Sequence, residues 1–127
     1  MGQRLGKEIL TEIGRINLSE DVIATMAGVA TTECYGIVGM AGSRLKDGIA
    51  ELLGRENLAR GVQVTLDEDS VEIDLHIVVG YGTRISEIAR NVTTQVRYVI
   101  ESFTGLQVRG VHIHVEGVKM GQARDIR

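Results

Sequence analysis

The chain has 127 residues, 43% hydrophobic and 24% charged, the composition of one ordinary globular domain, which excludes whole-chain disorder. Fourteen Lys and Arg against seventeen Asp and Glu give a formal charge of −3, and one Phe, three Tyr and no Trp offer few stacking platforms, so nucleic acid is not expected as a partner. A lone cysteine, Cys34, closes no intrachain disulfide, the start Met1-Gly2-Gln3-Arg4 leads into no apolar segment, and no run reaches the roughly eighteen apolar residues of a membrane span. These features predict a cytoplasmic chain with no direct membrane insertion.

Residues 1–13 show no hydrophobic period and read as a flexible N-terminal arm. Residues 14–120 read as a single domain and residues 121–127 as a flexible tail. From Gly14 the chain alternates, predicting a short strand with Ile16 and Leu18 buried. Ser19 then has the chemistry of a helix N-cap, with Glu20 and Asp21 in the first turn, where the helix dipole favours carboxylates. The helix predicted over Glu20 to Thr32 is apolar almost all round and is expected to be buried on two sides. Its small residues Ala24, Ala27, Gly28 and Ala30 permit close backbone approach, either within the fold or across a subunit contact.

Tyr35 to Met40 reads as a second strand, ended by Gly42 and Ser43. Leu45, Ile49, Leu52 and Leu53 then stand at helical spacing and predict a short amphipathic helix, followed by a polar connection from Gly54 to Gly61. The clearest β signal comes next. Val62, Val64 and Leu66 alternate with polar residues, the turn Asp67-Glu68-Asp69-Ser70 follows, and Val71, Ile73, Leu75, Ile77 and Val79 alternate again, as in an antiparallel hairpin. The acidic turn lacks the oxygen spacing and terminal Glu of a calcium-binding EF-hand loop.

Thr83 is a candidate N-cap for the most strongly patterned helix, in which Ile85, Ile88, Ala89, Val92, Val96, Val99, Ile100 and Phe103 fall on one expected core face. Burial of such side chains contributes about 1.5–3 kcal/mol each before entropy is subtracted. The opposite face carries Glu87, Arg90, Thr94, Arg97 and Glu101. Gly105 stops the helix, and Leu106 to Val118 reads as a last strand whose apolar phase shifts at Gly110, the mark of a bulge. The order of elements predicts an α+β two-layer sandwich, a small mixed or antiparallel sheet of about five strands packed against helices.

Three groups of residues carry candidate chemistry. His112 and His114, two apart on a strand, share a face, and His76 occupies the polar phase of its own strand with Glu72 and Asp74; neighbouring strands would bring imidazoles and carboxylates together, ligand types suited to zinc. Gly80, Gly82, Thr83 and Arg84, between a strand and a helix start, are a candidate phosphate cradle, although the third glycine of a dinucleotide fingerprint is missing. Ala24, Ala27 and Gly28, with Arg90 and Arg97, are candidate interaction residues. Cys34 has no adjacent cation or base and reads as a structural thiol. No Ser-His-Asp set or carboxylate pair suggests catalysis, and no cofactor is expected.

The order of several motifs is more specific than any one of them. Ile16-Asn17-Leu18-Ser19-Glu20-Asp21-Val22-Ile23 with Ala27-Gly28-Val29-Ala30, then Tyr35-Gly36-Ile37-Val38-Gly39-Met40, Tyr81-Gly82 with Ile85 and Glu87-Ile88-Ala89, Thr104-Gly105-Leu106, and Val111-His112-Ile113-His114-Val115-Glu116-Gly117-Val118 follow one another in this chain. From Gly14 to about Met120 it thereby resembles the alkaline shock protein family, envelope stress response proteins of Gram-positive and related bacteria. Ser86 stands where family members often have a proline. The resemblance implies a cytoplasmic, non-enzymatic protein that self-associates and is held at the inner face of the cell membrane by a membrane-anchored protein partner. It supplies no catalytic residues. Two function classes follow: a scaffold or adaptor in cell-envelope homeostasis, or a regulatory module that binds a small ligand or metal ion and controls a metabolic enzyme.

Overall fold

A computed structural model describes residues 6–11, 14–44 and 50–120. The strands are β1 (Gly6–Thr11), β2 (Gly14–Ser19), β3 (Ile37–Arg44), β4 (Ala50–Leu52), β5 (Val62–Leu66), β6 (Ser70–Gly80) and β7 (Gln107–Lys119). The helices are α1 (Glu20–Thr32) and α2 (Ile85–Thr104), with a short 3-10 helix at Arg55–Gly61. Together they form an α+β sandwich, as the order of sequence patterns implies.

β6 is the centre of the sheet because its alternation is complete: Val71, Ile73, Leu75, Ile77 and Val79 are all fully buried under the helices. β5 pairs antiparallel with its first half, Val62 facing Leu75 and Leu66 facing Val71. β3 pairs antiparallel with its second half, Met40 facing Ile77. β7 runs parallel to β6 along its whole length on the other edge, from Ser70 facing Gln107 to Gly80 facing Lys119. That ladder slips once between Val108 and Gly110, the expected bulge, and again between Val115 and Gly117.

The Ser19 hydroxyl caps α1 as expected, accepting from the Val22 amide at 3.2 Å. In α2, Ile88, Val92, Val96, Ile100 and Thr104 are buried, and the helix ends on Gly105 at φ 78°.

Four expectations need correction. Gly6–Thr11, within the expected arm, form a strand paired antiparallel with β2, Gly6 facing Ser19; residues 1–5 and the expected tail at 121–127 lie outside the described residues. The expected helix around Leu45 to Leu53 is not formed where the chain is described: Ala50–Leu52 is a strand against β3, which itself runs on through Gly42 and Ser43 to Arg44. A short apolar run has no period strong enough to resist pairing with a neighbouring strand. Residues 45–49 lie outside the described residues. Thr83 does not cap α2; its hydroxyl donates to the Gly80 carbonyl at 2.7 Å, and Arg84 occupies the cap position without a side-chain bond. Finally, the apolar face of α2 is not wholly core, since Ile85 is 47% and Phe103 77% exposed. The core takes the i, i+4 row, and residues beside that row reach the helix surface.

An apolar groove between the two helices and a histidine ladder on the sheet

α1 presents two stripes. Ile23, Ala24, Ala27, Gly28, Ala30 and Thr31 are buried. Val22, Met26 and Val29, at i, i+4 and i+7, form a second stripe that stays wholly or partly at the surface. The expectation of burial on both sides therefore holds for one side only. The small residues serve the fold itself: Ala24, Ala27 and Gly28 are core, and a Cβ added at Gly28 would lie 3.1 Å from the Leu58 Cβ of the 3-10 helix. They are thus not a surface for a second subunit, which corrects their candidacy as interaction residues.

The outer stripe of α1 meets α2 in a groove. Thr25, Met26, Val29 and Ala30 line one wall, Val99 and Phe103 the other, and Glu33 closes the end of a cleft of about 270 Å³. Phe103 stands on its lip, three-quarters exposed. Large apolar side chains around a concave seam mark a contact surface more often than isolated exposed residues do. Helical spacing alone assigns Phe103 to the core and draws attention to the small residues of α1. The available signal was the second stripe, Val22, Met26 and Val29.

Arg90 and Arg97, the charged candidates, are exposed on α2. Arg90 borders a polar cleft shared with Cys34, Tyr35, Asn91 and Thr94. Burial pushes the Cys34 thiol above its usual range and the neighbouring Glu33 carboxylate adds to this, while the Sγ lies 3.5 Å from the Ala30 carbonyl oxygen. Less thiolate is then present at neutral pH. Alkylation of Cys34 by iodoacetamide at neutral pH should be slower than that of a free cysteine and should accelerate as the pH is raised; faster labelling than the free amino acid would contradict a structural thiol.

The structure brings His76, His112 and His114 onto the open face of the sheet. The rings of His76 and His114 stack with centroids 4.6 Å apart and planes 13° from parallel. Each imidazole also meets a carboxylate across the β6/β7 seam. His76 Nδ1 is 2.8 Å from Glu116 Oε2, His114 Nε2 is 3.3 Å from Asp74 Oδ1, and His112 Nε2 is 3.9 Å from Glu72 Oε1. The result is a ladder of separate pairs. Among the described residues, no three ligating side chains are grouped to hold a metal ion.

Gly80, Gly82, Thr83 and Arg84 lie in one turn, as the sequence requires. The amides of Gly80, Tyr81 and Thr83 donate to the carbonyls of Gly36, Lys119 and Gly80, so these three are already engaged within the fold. Arg84 is exposed, its guanidinium 3.9 Å from the Glu87 carboxylate.

The fold and its seam define a small α+β protein with an uncovered apolar groove between its two helices. A model of the alkaline shock protein 23 family, described as having a cell envelope-related function, matches residues 8–120. The chain belongs to this family, the one that its motif order resembles. It is 48% identical over 114 residues to the uncharacterized protein YloU of Bacillus subtilis, covering 89% of this chain and 95% of the relative. It is 40% identical to the uncharacterized protein Spy1614 of Streptococcus pyogenes, covering 89% and 94%. A stress response regulator gls24 homolog of Streptococcus pyogenes is 28% identical over 109 residues, covering 84% of this chain and 59% of the relative. No solved structure matches the chain. No helix among the described residues is long and apolar enough to cross a membrane.

Proposed function

We propose that this protein is a non-enzymatic scaffold or adaptor in the cell-envelope stress response, which self-associates and uses the groove between α1 and α2 to hold a membrane-anchored protein at the inner face of the cell membrane. The observation that carries the reading is the groove: Met26, Val29, Val99 and Phe103 leave an apolar seam uncovered. The envelope-related description of the family and the stress-regulator name of a relative support the biological setting. The seam suits a partner segment that inserts one or two large apolar side chains, with a basic group beside them to face Glu33.

The test is recovery from crosslinked cells, with membrane and soluble fractions analysed separately. The unaltered chain should recover an integral membrane protein. Phe103→Asp places a carboxylate on the lip of the groove at an exposed position, so the fold survives and the contact does not. Its recovery should fall roughly thirtyfold, the scale of losing one hot-spot side chain worth ~2 kcal/mol. Equal recovery by both chains would overturn the assignment of the groove.

A further inference from the structure

β6 has both edges filled, by β7 on one side and by β5 and β3 end to end on the other. β7 does not. It is 13 residues long, and among the described residues no strand pairs with its outer edge. An open edge exposes a row of backbone donors and acceptors, and proteins that remain single blunt such edges with Lys, Pro, bulges or a covering group. On β7 these devices sit towards the ends. The Val108 amide donates to the Glu101 carboxylate at 2.9 Å, one register slip lies between Val108 and Gly110, the other lies at Glu116, and Lys119 closes the strand. Between the slips the sequence Val111-His112-Ile113-His114-Val115 alternates without Lys, Pro or Gly. The apolar row on its core side also loses its cover along the strand, from Val108 at 1% exposed to Val115 at 37%.

We propose that the outer edge of β7 pairs antiparallel with the same edge of a second copy of this chain, about a two-fold axis at His114, so that two sheets become one. The inference rests on the self-association in the reading above and names its surface. The partly covered apolar row of Ile113 and Val115 selects the occupant and the register. With His114 at the axis, His112 faces Glu116 of the partner subunit, and the two-fold repeats the contact in reverse. This extends across the new seam the imidazole and carboxylate pairing that already joins β6 to β7. On the core side, Ile113 then lies opposite Val115 of the partner subunit, giving the half-covered end of the apolar row an apolar neighbour. Each copy contributes its β7 edge to one isologous contact, so this pairing closes at two copies.

Light scattering and disulfide trapping on the full chain test this. The expected result is a dimer at high micromolar concentration. In a Cys34→Ser background, His114→Cys should crosslink to itself on mild oxidation, while Arg97→Cys, on the helical layer, should not. Val115→Lys, at a partly exposed position, should keep the circular dichroism spectrum and weaken dimerisation roughly tenfold or more. A dimer undiminished by Val115→Lys and uncrosslinked at position 114 would overturn the β7 surface and leave self-association standing. A monomer at every concentration would overturn both.

Discussion

Leu75→Ala is expected to destabilise the protein by about 2–5 kcal/mol, a large part of the roughly 5–15 kcal/mol that holds a domain of this size folded. Leu75 is fully buried in the middle of β6, flanked in register by Val62 on β5 and Ile113 on β7. Its side chain points into the cluster that also receives Ile23 from α1 and Ile88, Val92 and Val96 from α2. Neighbours fixed by a sheet on both sides cannot collapse into the space left behind, so the cost includes a cavity as well as the lost transfer energy. Urea denaturation should show a lower midpoint at an unchanged slope. A loss under about 1 kcal/mol would mean that β6 is not the core of the fold.

The second large effect is at Gly36, in the turn between α1 and β3. Its φ is 91°, a region that an L side chain enters at a cost of about 1–2 kcal/mol. An added Cβ would also lie 2.5 Å from Cδ1 and 2.9 Å from Cγ1 of Ile88, a side chain that is itself buried and has little room to turn away. Overpacking of that kind adds about 1–3 kcal/mol. The backbone cannot easily relax, because the Gly36 carbonyl accepts from the Gly80 amide at 3.0 Å. Gly36→Ala should therefore cost about 2–5 kcal/mol by the sum of the two terms. Gly82 has nearly the same φ, 92°, but nothing within 4 Å of the added carbon, so Gly82→Ala should cost only about 1–2 kcal/mol. Equal losses for the two variants would contradict the packing of Ile88 against this turn.

The sequence was readable wherever one period dominated. The alternation from Val62 to Val79 specified β5, β6 and their turn, and the phase change at Gly110 marked the first slip of β7. It failed where long-range pairing decided. Leu52 and Leu53 stand at helical spacing with Leu45 and Ile49, yet Ala50–Leu52 pairs with β3, an outcome set by a strand that the local pattern cannot see. β1 likewise owes its form to pairing with β2.

For the candidate site, residue types were legible and surfaces were not. His76, His112 and His114 meet because β6 and β7 pair in parallel, and their partnership with separate carboxylates depends on a register that no sequence period encodes. The groove joins Met26 and Val29 to Val99 and Phe103, some seventy residues away in the chain. Helical periodicity assigns Phe103 to the core because, at about 100° per residue, it falls within the arc spanned by Ile88, Val92, Val96 and Ile100. The i, i+4 row winds round the helix, and in the last turn the buried residues Ile100 and Thr104 lie about 60° and 100° round from Phe103, which is left at the surface.

The most direct test of the groove is site-specific photo-crosslinking in living cells, with the photoreactive residue placed in turn at Val29, on the wall of the groove, and at His112, on the open face of the sheet. The expected result is a crosslink to an integral membrane protein from Val29 and none to that protein from His112. The same membrane protein crosslinked from His112 and absent from Val29 would contradict it.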